Sequence, residues 1–146
     1  MSSLDILVVD DFEPWRRVVC STLQLMPQRQ IIYQAADGLE TVQKALELQP
    51  DLILLDIGLP IMDGVEAARQ IRKLAPRSKV LFLSENHSAE VAREALFHGA
   101  SGYVVKADAG RQLLDAVEAV IQGKQFVSDS IAGQVFAEGV VTSQCP

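Results

Sequence analysis

Five side chains able to do chemistry stand at the ends of short apolar runs. Asp10 and Asp11 close "LVVDD", Asp56 closes "LILLD", Ser84 closes "LFLS" and Lys106 closes "YVVK". Carboxylates that converge raise one another's pKa, so three acids brought together call for a proton or a cation. Mg²⁺ resolves the conflict, because it takes oxygen ligands while keeping several waters. No Cys or His adjoins these acids to suggest a softer metal. An ammonium and a hydroxyl aimed at the same point add nothing to metal binding; they suit a phosphoryl group carried on one carboxylate. Asp56, alone at the end of its run, is then the nucleophile, with Asp10 and Asp11 holding the metal.

These groups meet only if the runs that carry them are neighbouring strands. Apolar, β-rich stretches at Leu4–Val9, Gln30–Ala35, Leu52–Leu55, Val80–Leu83 and Tyr103–Val105 mostly lack polar alternation, as strands covered on both faces do. Helical patterns separate them. The first runs from Pro14 to Leu25 with Val18, Val19, Thr22 and Leu23 as its inward stripe, and the second follows Asp37-Gly38 with Val42, Ala45, Leu46 and Leu48. Asp63 caps the third, which carries Val65, Ala68, Ile71 and Leu74 and stops before Pro76. Ser88 opens the fourth, and Gly99 is placed for a left-handed cap. The fifth spans Ala109 to Gln122. Five βα units in series predict an α/β domain of the flavodoxin-like type, a doubly wound five-stranded parallel sheet in the order 2-1-3-4-5 with helices on both faces. In that order the first and third strands are neighbours, and a site lies beyond their carboxyl ends. Residues 1–122 form this domain; residues 123–146 are an extension or linker, with "FVSDSIAGQVFAEG" able to form one short helix capped by Ser128 or Asp129 before a loose end.

Composition narrows the function classes. With 13 Lys+Arg against 19 Asp+Glu and a formal charge of −6, the chain has no basic footprint for nucleic-acid phosphates. Cys20 and Cys145 make no disulfide framework and no metal-ligand pair, which fits a reducing cytoplasm. The opening "MSSLDILVVDD" lacks a basic segment, and its apolar run is too short for a signal peptide or a span. His87 and His98 have no second ligand at metal spacing, and Trp15 and Tyr33 carry no role beyond packing.

The combination "VVDD", "LLDIGLPIMDG", "LFLS" and "GYVVK" resembles the receiver domains of bacterial two-component response regulators, over about Leu4 to Gln122. The wording "HGASGYVVKADA" is most similar to the subgroup that usually carries a C-terminal LuxR-type helix-turn-helix output domain, for which the residues after the fifth helix are too few. The resemblance implies that Asp56 is the phosphoacceptor, Asp10 and Asp11 the acidic pair, Ser84 the switch hydroxyl and Lys106 the phosphoryl-binding lysine. It further implies a metal ligand in the Gly58 carbonyl, with glycine leaving the pocket open, and a switch aromatic in Tyr103. Phosphoryl oxygens would draw Ser84 inward, and the Tyr103 ring would fill the space it leaves. Implied partners are a sensor histidine kinase or phosphotransfer protein, a homodimer mate, and DNA only through an output domain, with no membrane partner.

One residue departs from the family pattern: Glu85 stands where a small residue usually follows the switch hydroxyl, and it would modulate admission to the pocket. Two rival readings remain. A phosphatase using an aspartyl-phosphate would want a second acid two residues after its nucleophile, where this chain has Phe12 or Gly58. A pseudo-receiver would bind without being phosphorylated; the retained acids, Ser84 and Lys106 speak against it, and Glu85 speaks for it.

Overall fold

The computed structural model describes residues 3–137. Elements follow in the order β1 (Leu4–Val9), α1 (Glu13–Leu23), β2 (Gln30–Ala35), α2 (Gly38–Leu48), β3 (Leu52–Leu55), α3 (Gly64–Leu74), β4 (Lys79–Ser84), α4 (Ala89–Phe97) and β5 (Gly102–Val105). A 3-10 turn over Lys106–Asp108 leads into α5 (Ala109–Ile121), β6 (Phe126–Val127) and α6 (Asp129–Ala137). The strands form one parallel sheet in the order β2-β1-β3-β4-β5-β6. The doubly wound, flavodoxin-like architecture is as expected, with a sixth strand beyond the five predicted.

Residues alternate strictly between the two faces. Ile6, Val8, Leu52, Leu54, Leu81, Leu83 and Val104 pack under α1 and α5. Leu7, Val9, Ile53, Leu55, Phe82, Tyr103 and Val105 pack under α2, α3, α4 and α6. Val19 and Leu23 are the inward residues of α1. Val18, expected on that stripe, is instead 52% exposed, because one residue along a helix turns the side chain by about 100°. Leu46 of α2 is likewise outward.

Local chemistry sets the helix starts as read from sequence. The carboxylates of Asp37 and Asp63 accept from the amides of Glu40 and Glu66 at 2.7 and 2.9 Å, and the Ser88 hydroxyl accepts from Val91 at 3.3 Å. Gly99 holds φ +100°, the left-handed end expected of α4.

The C-terminal segment is built onto the sheet edge. A Cβ on Gly102 would stand 2.7 Å from the Phe126 carbonyl oxygen, so the bare glycine lets β6 approach β5. Of Ser128 and Asp129, the two expected caps of the last helix, Ser128 stands just before its first residue and its carbonyl accepts from the Ala132 amide at 3.0 Å, while its fully buried hydroxyl accepts from the Val105 amide at 2.9 Å. The first amides of α6 find partners on the α5 side. Asp129 donates to Gln112 Oε1 at 2.8 Å and Ser130 to Asp108 Oδ2 at 3.2 Å. The expected loose end and Cys145 lie outside the described residues. No helix among the described residues is long and apolar enough to cross a membrane.

Removing the Ser128 hydroxyl leaves the Val105 amide buried without a partner. Ser128→Ala should therefore cost about 1–3 kcal/mol in denaturant unfolding and speed hydrogen exchange across residues 126–137. Asp108 adds a pH dependence. The Ser130 hydroxyl, followed by that of Ser128, holds its carboxyl below the usual range against the opposing effect of burial. Its contribution is complete above the unfolded pKa of about 4 and is lost as pH falls through the lower folded value. Asp108→Asn should flatten that acid limb of the stability curve.

Candidate functional site

Pleat alternation sorts the chemistry before any side chain is placed. Val9 pairs with Leu55, so Asp10 and Asp56, the next residues on neighbouring strands, emerge side by side. Both continue the parity of the strand residues under α1 and α5, as does Lys106 after Val104. Ser84 and Tyr103 have the opposite parity and belong to the α4 side. The acids and lysine thus share one side of the sheet's end, and the hydroxyl and aromatic share the other.

Oxygens of Asp10, Asp11 and Asp56 all lie within 4.8 Å of one another. Asp10 and Asp56 are buried and Asp11 is exposed. The Lys106 Nζ stands 2.5 Å from Asp10 Oδ2 and 3.8 Å from Asp56 Oδ2, and it lies over the Trp15 ring, 5.3 Å from the centroid. The other Asp10 oxygen accepts from the Phe12 amide at 2.8 Å, which fixes that carboxylate at the start of α1. Burial pushes the Asp56 carboxyl above its ordinary pKa. Lys106 opposes the shift, Asp10 adds to it, and the Ile57 and Gly58 amides lower it. A set of hard oxygens, two of them from buried acids, fits a small divalent cation.

The loop from β3 to α3 closes tightly under this cluster. A Cβ on Gly64 would fall 2.1 Å from the Asp56 carbonyl oxygen, so α3 can start beside Asp56 only because this residue is glycine. Ile61 holds φ 73°, an unusual conformation for a β-branched residue, where the Met62 amide turns back to Pro60 O at 2.8 Å. Gly58 is different: a Cβ there would meet no atom within 4 Å.

A cleft of about 1120 Å³ unites these groups; its lining includes Asp11, Asp56, Gly58, Ser84, Glu85 and Lys106. Ser84 is buried, and its Oγ accepts from the Asn86 amide at 3.1 Å. The Tyr103 ring is fully buried, and its hydroxyl donates to the Asn86 carbonyl at 2.9 Å. Burial raises the Tyr103 pKa, with the Ser84 hydroxyl bond opposing. Glu85 is exposed at the rim. Two participants escaped the sequence reading. Asn86 joins the hydroxyl to the aromatic through its backbone, which no side-chain pattern reveals. Trp15 lines the cleft, and its place in the first turn after the acid pair was the available signal.

Residues 6–118 match the response regulator receiver domain family, and the chain belongs to it. The transcriptional regulatory protein LnrK of Bacillus subtilis (strain 168) is 34% identical over 135 residues, 92% of this chain and 61% of the relative. The response regulator protein VraR of Staphylococcus aureus is 36% identical over 129 residues, 88% of this chain and 62% of the relative. A two-component response regulator of the LuxR family from Aurantimonas sp. SI85-9A1 superposes with a TM-score of 0.89 at 31% identity, over 95% of this chain and 99% of that one. The chain spans about three fifths of the length of these curated relatives.

A buried carboxylate whose pKa is raised weakens the fold once ionised. Stability falls as pH rises from the unfolded pKa through the raised folded one, and the cost persists above it. In metal-free protein at neutral pH, Asp56→Asn should raise the thermal midpoint, because it removes a buried charge whose ionisation opposes folding. The gain should vanish in acid, where Asp56 is protonated.

Proposed function

We propose that this receiver accepts a phosphoryl group on Asp56 from a sensor histidine kinase or a phosphotransfer protein and uses it to alter the surface of α4 and β5. The observation that carries the reading is the Lys106 ammonium standing within 3.8 Å of Asp56 and 2.5 Å of Asp10, in a pocket of three carboxylates. Asp56 attacks phosphorus as the donor nitrogen leaves. A Mg²⁺ held by Asp10, Asp11, Asp56 and the Gly58 carbonyl would neutralise the charge that gathers on the phosphoryl oxygens. Lys106 turns from Asp10 toward those oxygens and recognises them. The role is signalling, with phosphorylation and dephosphorylation of the chain itself as its chemistry.

The switch runs through Asn86. Ser84 now accepts from the Asn86 amide, and Tyr103 donates to the Asn86 carbonyl. A Ser84 hydroxyl that turns to donate to a phosphoryl oxygen gives up the first bond and loosens the second. Because the ring is already fully buried, we place the change in the loop at residues 84–87, which leads straight into α4, rather than in a large movement of Tyr103. Such a shift is a change of population between two arrangements.

Glu85 modulates the rate. Its carboxylate adds a further negative charge where a dianion must enter, and that repulsion slows loading from anionic donors. DNA contact is assigned to a LuxR-type output domain outside this chain, a second copy of the chain is the partner in a homodimer, and the compartment is the cytoplasm.

Incubation with Mg²⁺ and a small phosphodonor should add one phosphoryl group by intact mass, and Asp56→Asn should add none. An adduct mapped to Asp10 contradicts the assignment. Lys106→Ala should still load, though more slowly, while losing the hydrogen-exchange response across residues 84–106. For Glu85→Ala, loading should quicken at low ionic strength and approach the parent rate as salt screens the charge. Equal rates at all salt concentrations make Glu85 a surface residue.

A further inference from the structure

The Lys106 ammonium has two kinds of neighbour. Asp10 and Asp56 attract it as anions, at 2.5 and 3.8 Å, while the Trp15 ring attracts it through the negative face of its π-system, 5.3 Å away. The same two carboxylates belong to the cluster that suits a divalent cation. Once they serve a metal, their pull on the ammonium is largely cancelled, and the metal's own charge repels it. An indole face is neither a ligand for a hard cation nor a charge to be neutralised. Trp15 is therefore the neighbour of Lys106 for which the metal does not compete.

The ring is held where it can act. Its own amide donates to the Phe12 carbonyl at 3.1 Å. On the same turn of α1, the Arg16 guanidinium donates to the Asp10 carbonyl at 2.5 Å and to Gln34 Oε1 at 2.8 Å. These bonds tie the first turn to the ends of β1 and β2, so the indole keeps its place relative to Asp10 whichever group the lysine favours. Trp15 also packs against the core under α1 and α5.

We infer that Trp15 is a positioning residue that keeps the Lys106 ammonium over the acidic cluster after a divalent cation has taken the carboxylates, so that the lysine meets the incoming phosphoryl oxygens without first being recovered from solvent. The inference rests on the phosphoacceptor reading, and nothing in composition or spacing assigned Trp15 this part.

The chain contains a single tryptophan, which makes its emission an unambiguous reporter. In Mg²⁺-saturated protein the Trp15 emission of Lys106→Met should differ from that of the parent, because the ammonium still lies over the ring in the parent. Coincident spectra mean that the lysine has swung away, and they overturn the inference. This arm leaves Trp15 intact and does not depend on how its variants fold. In the second arm, Trp15→Leu should load Asp56 from a small phosphodonor about two- to five-fold more slowly at saturating Mg²⁺, the factor a cation–π contact represents, and Trp15→Phe should restore most of the rate. No slowing in a folded Trp15→Leu protein, or equal slowing in both variants, also overturns it. A parent chain that takes no phosphoryl group instead overturns the phosphoacceptor reading, and the emission arm still decides where the lysine rests.

Discussion

One ammonium shared by two buried carboxylates sets the terms for the rest of this molecule. Asp10 and Asp56 are brought together by the register of β1 against β3, and burial alone would drive Asp56 toward protonation. Lys106 relieves that pressure from the end of β5, two strands away from β3 in the sheet order. On the phosphoacceptor reading, the pocket is balanced around a charge that can be redistributed when a cation or a phosphoryl group joins it. Replacing such a buried charged set by apolar residues is often neutral or stabilising, so stability alone does not account for these groups.

The two faces of the sheet divide the work. Acids and lysine emerge on the side of α1 and α5, where Trp15 and Arg16 hold the first turn of α1 against them. Ser84 and Tyr103 emerge on the side of α4 and α6. Asn86 joins these two on that face, its amide donating to Ser84 and its carbonyl accepting from Tyr103. Beyond Tyr103 the path continues into β6 and α6: Ser128 donates its amide to the Tyr103 carbonyl at 3.0 Å and accepts the Val105 amide. The segment after α5 is thus bonded directly to the strand that carries the aromatic and the lysine.

Legibility in the sequence followed the length of the signal. Strands β1 to β5 were readable because apolar runs buried on both faces stand out, and the acids and lysine because each terminates such a run. The cap residues Asp63 and Ser88 and the left-handed Gly99 were readable because their chemistry is local. Strand β6 was not, because two residues carry no period; it exists through Gly102, whose missing side chain matters only once the neighbouring strand is present. Val18 was misassigned because a valine at a helix surface looks the same in sequence as one in the core. Ser128 looked like an ordinary capping residue, yet its hydroxyl is spent on the Val105 amide, 23 residues away. Trp15 passed for a packing aromatic because its ammonium partner lies far along the chain.

The central claim is that Asp56 carries the phosphoryl group in a pocket completed by Mg²⁺ and Lys106. Fluorine NMR of the chain with beryllofluoride, a non-hydrolysable stand-in for that group, tests it most directly. Protein-bound fluorine resonances should appear in the parent only when Mg²⁺ is present, and Asp56→Asn should abolish them. Bound resonances that persist in Asp56→Asn, or that form equally well without Mg²⁺, would contradict the account.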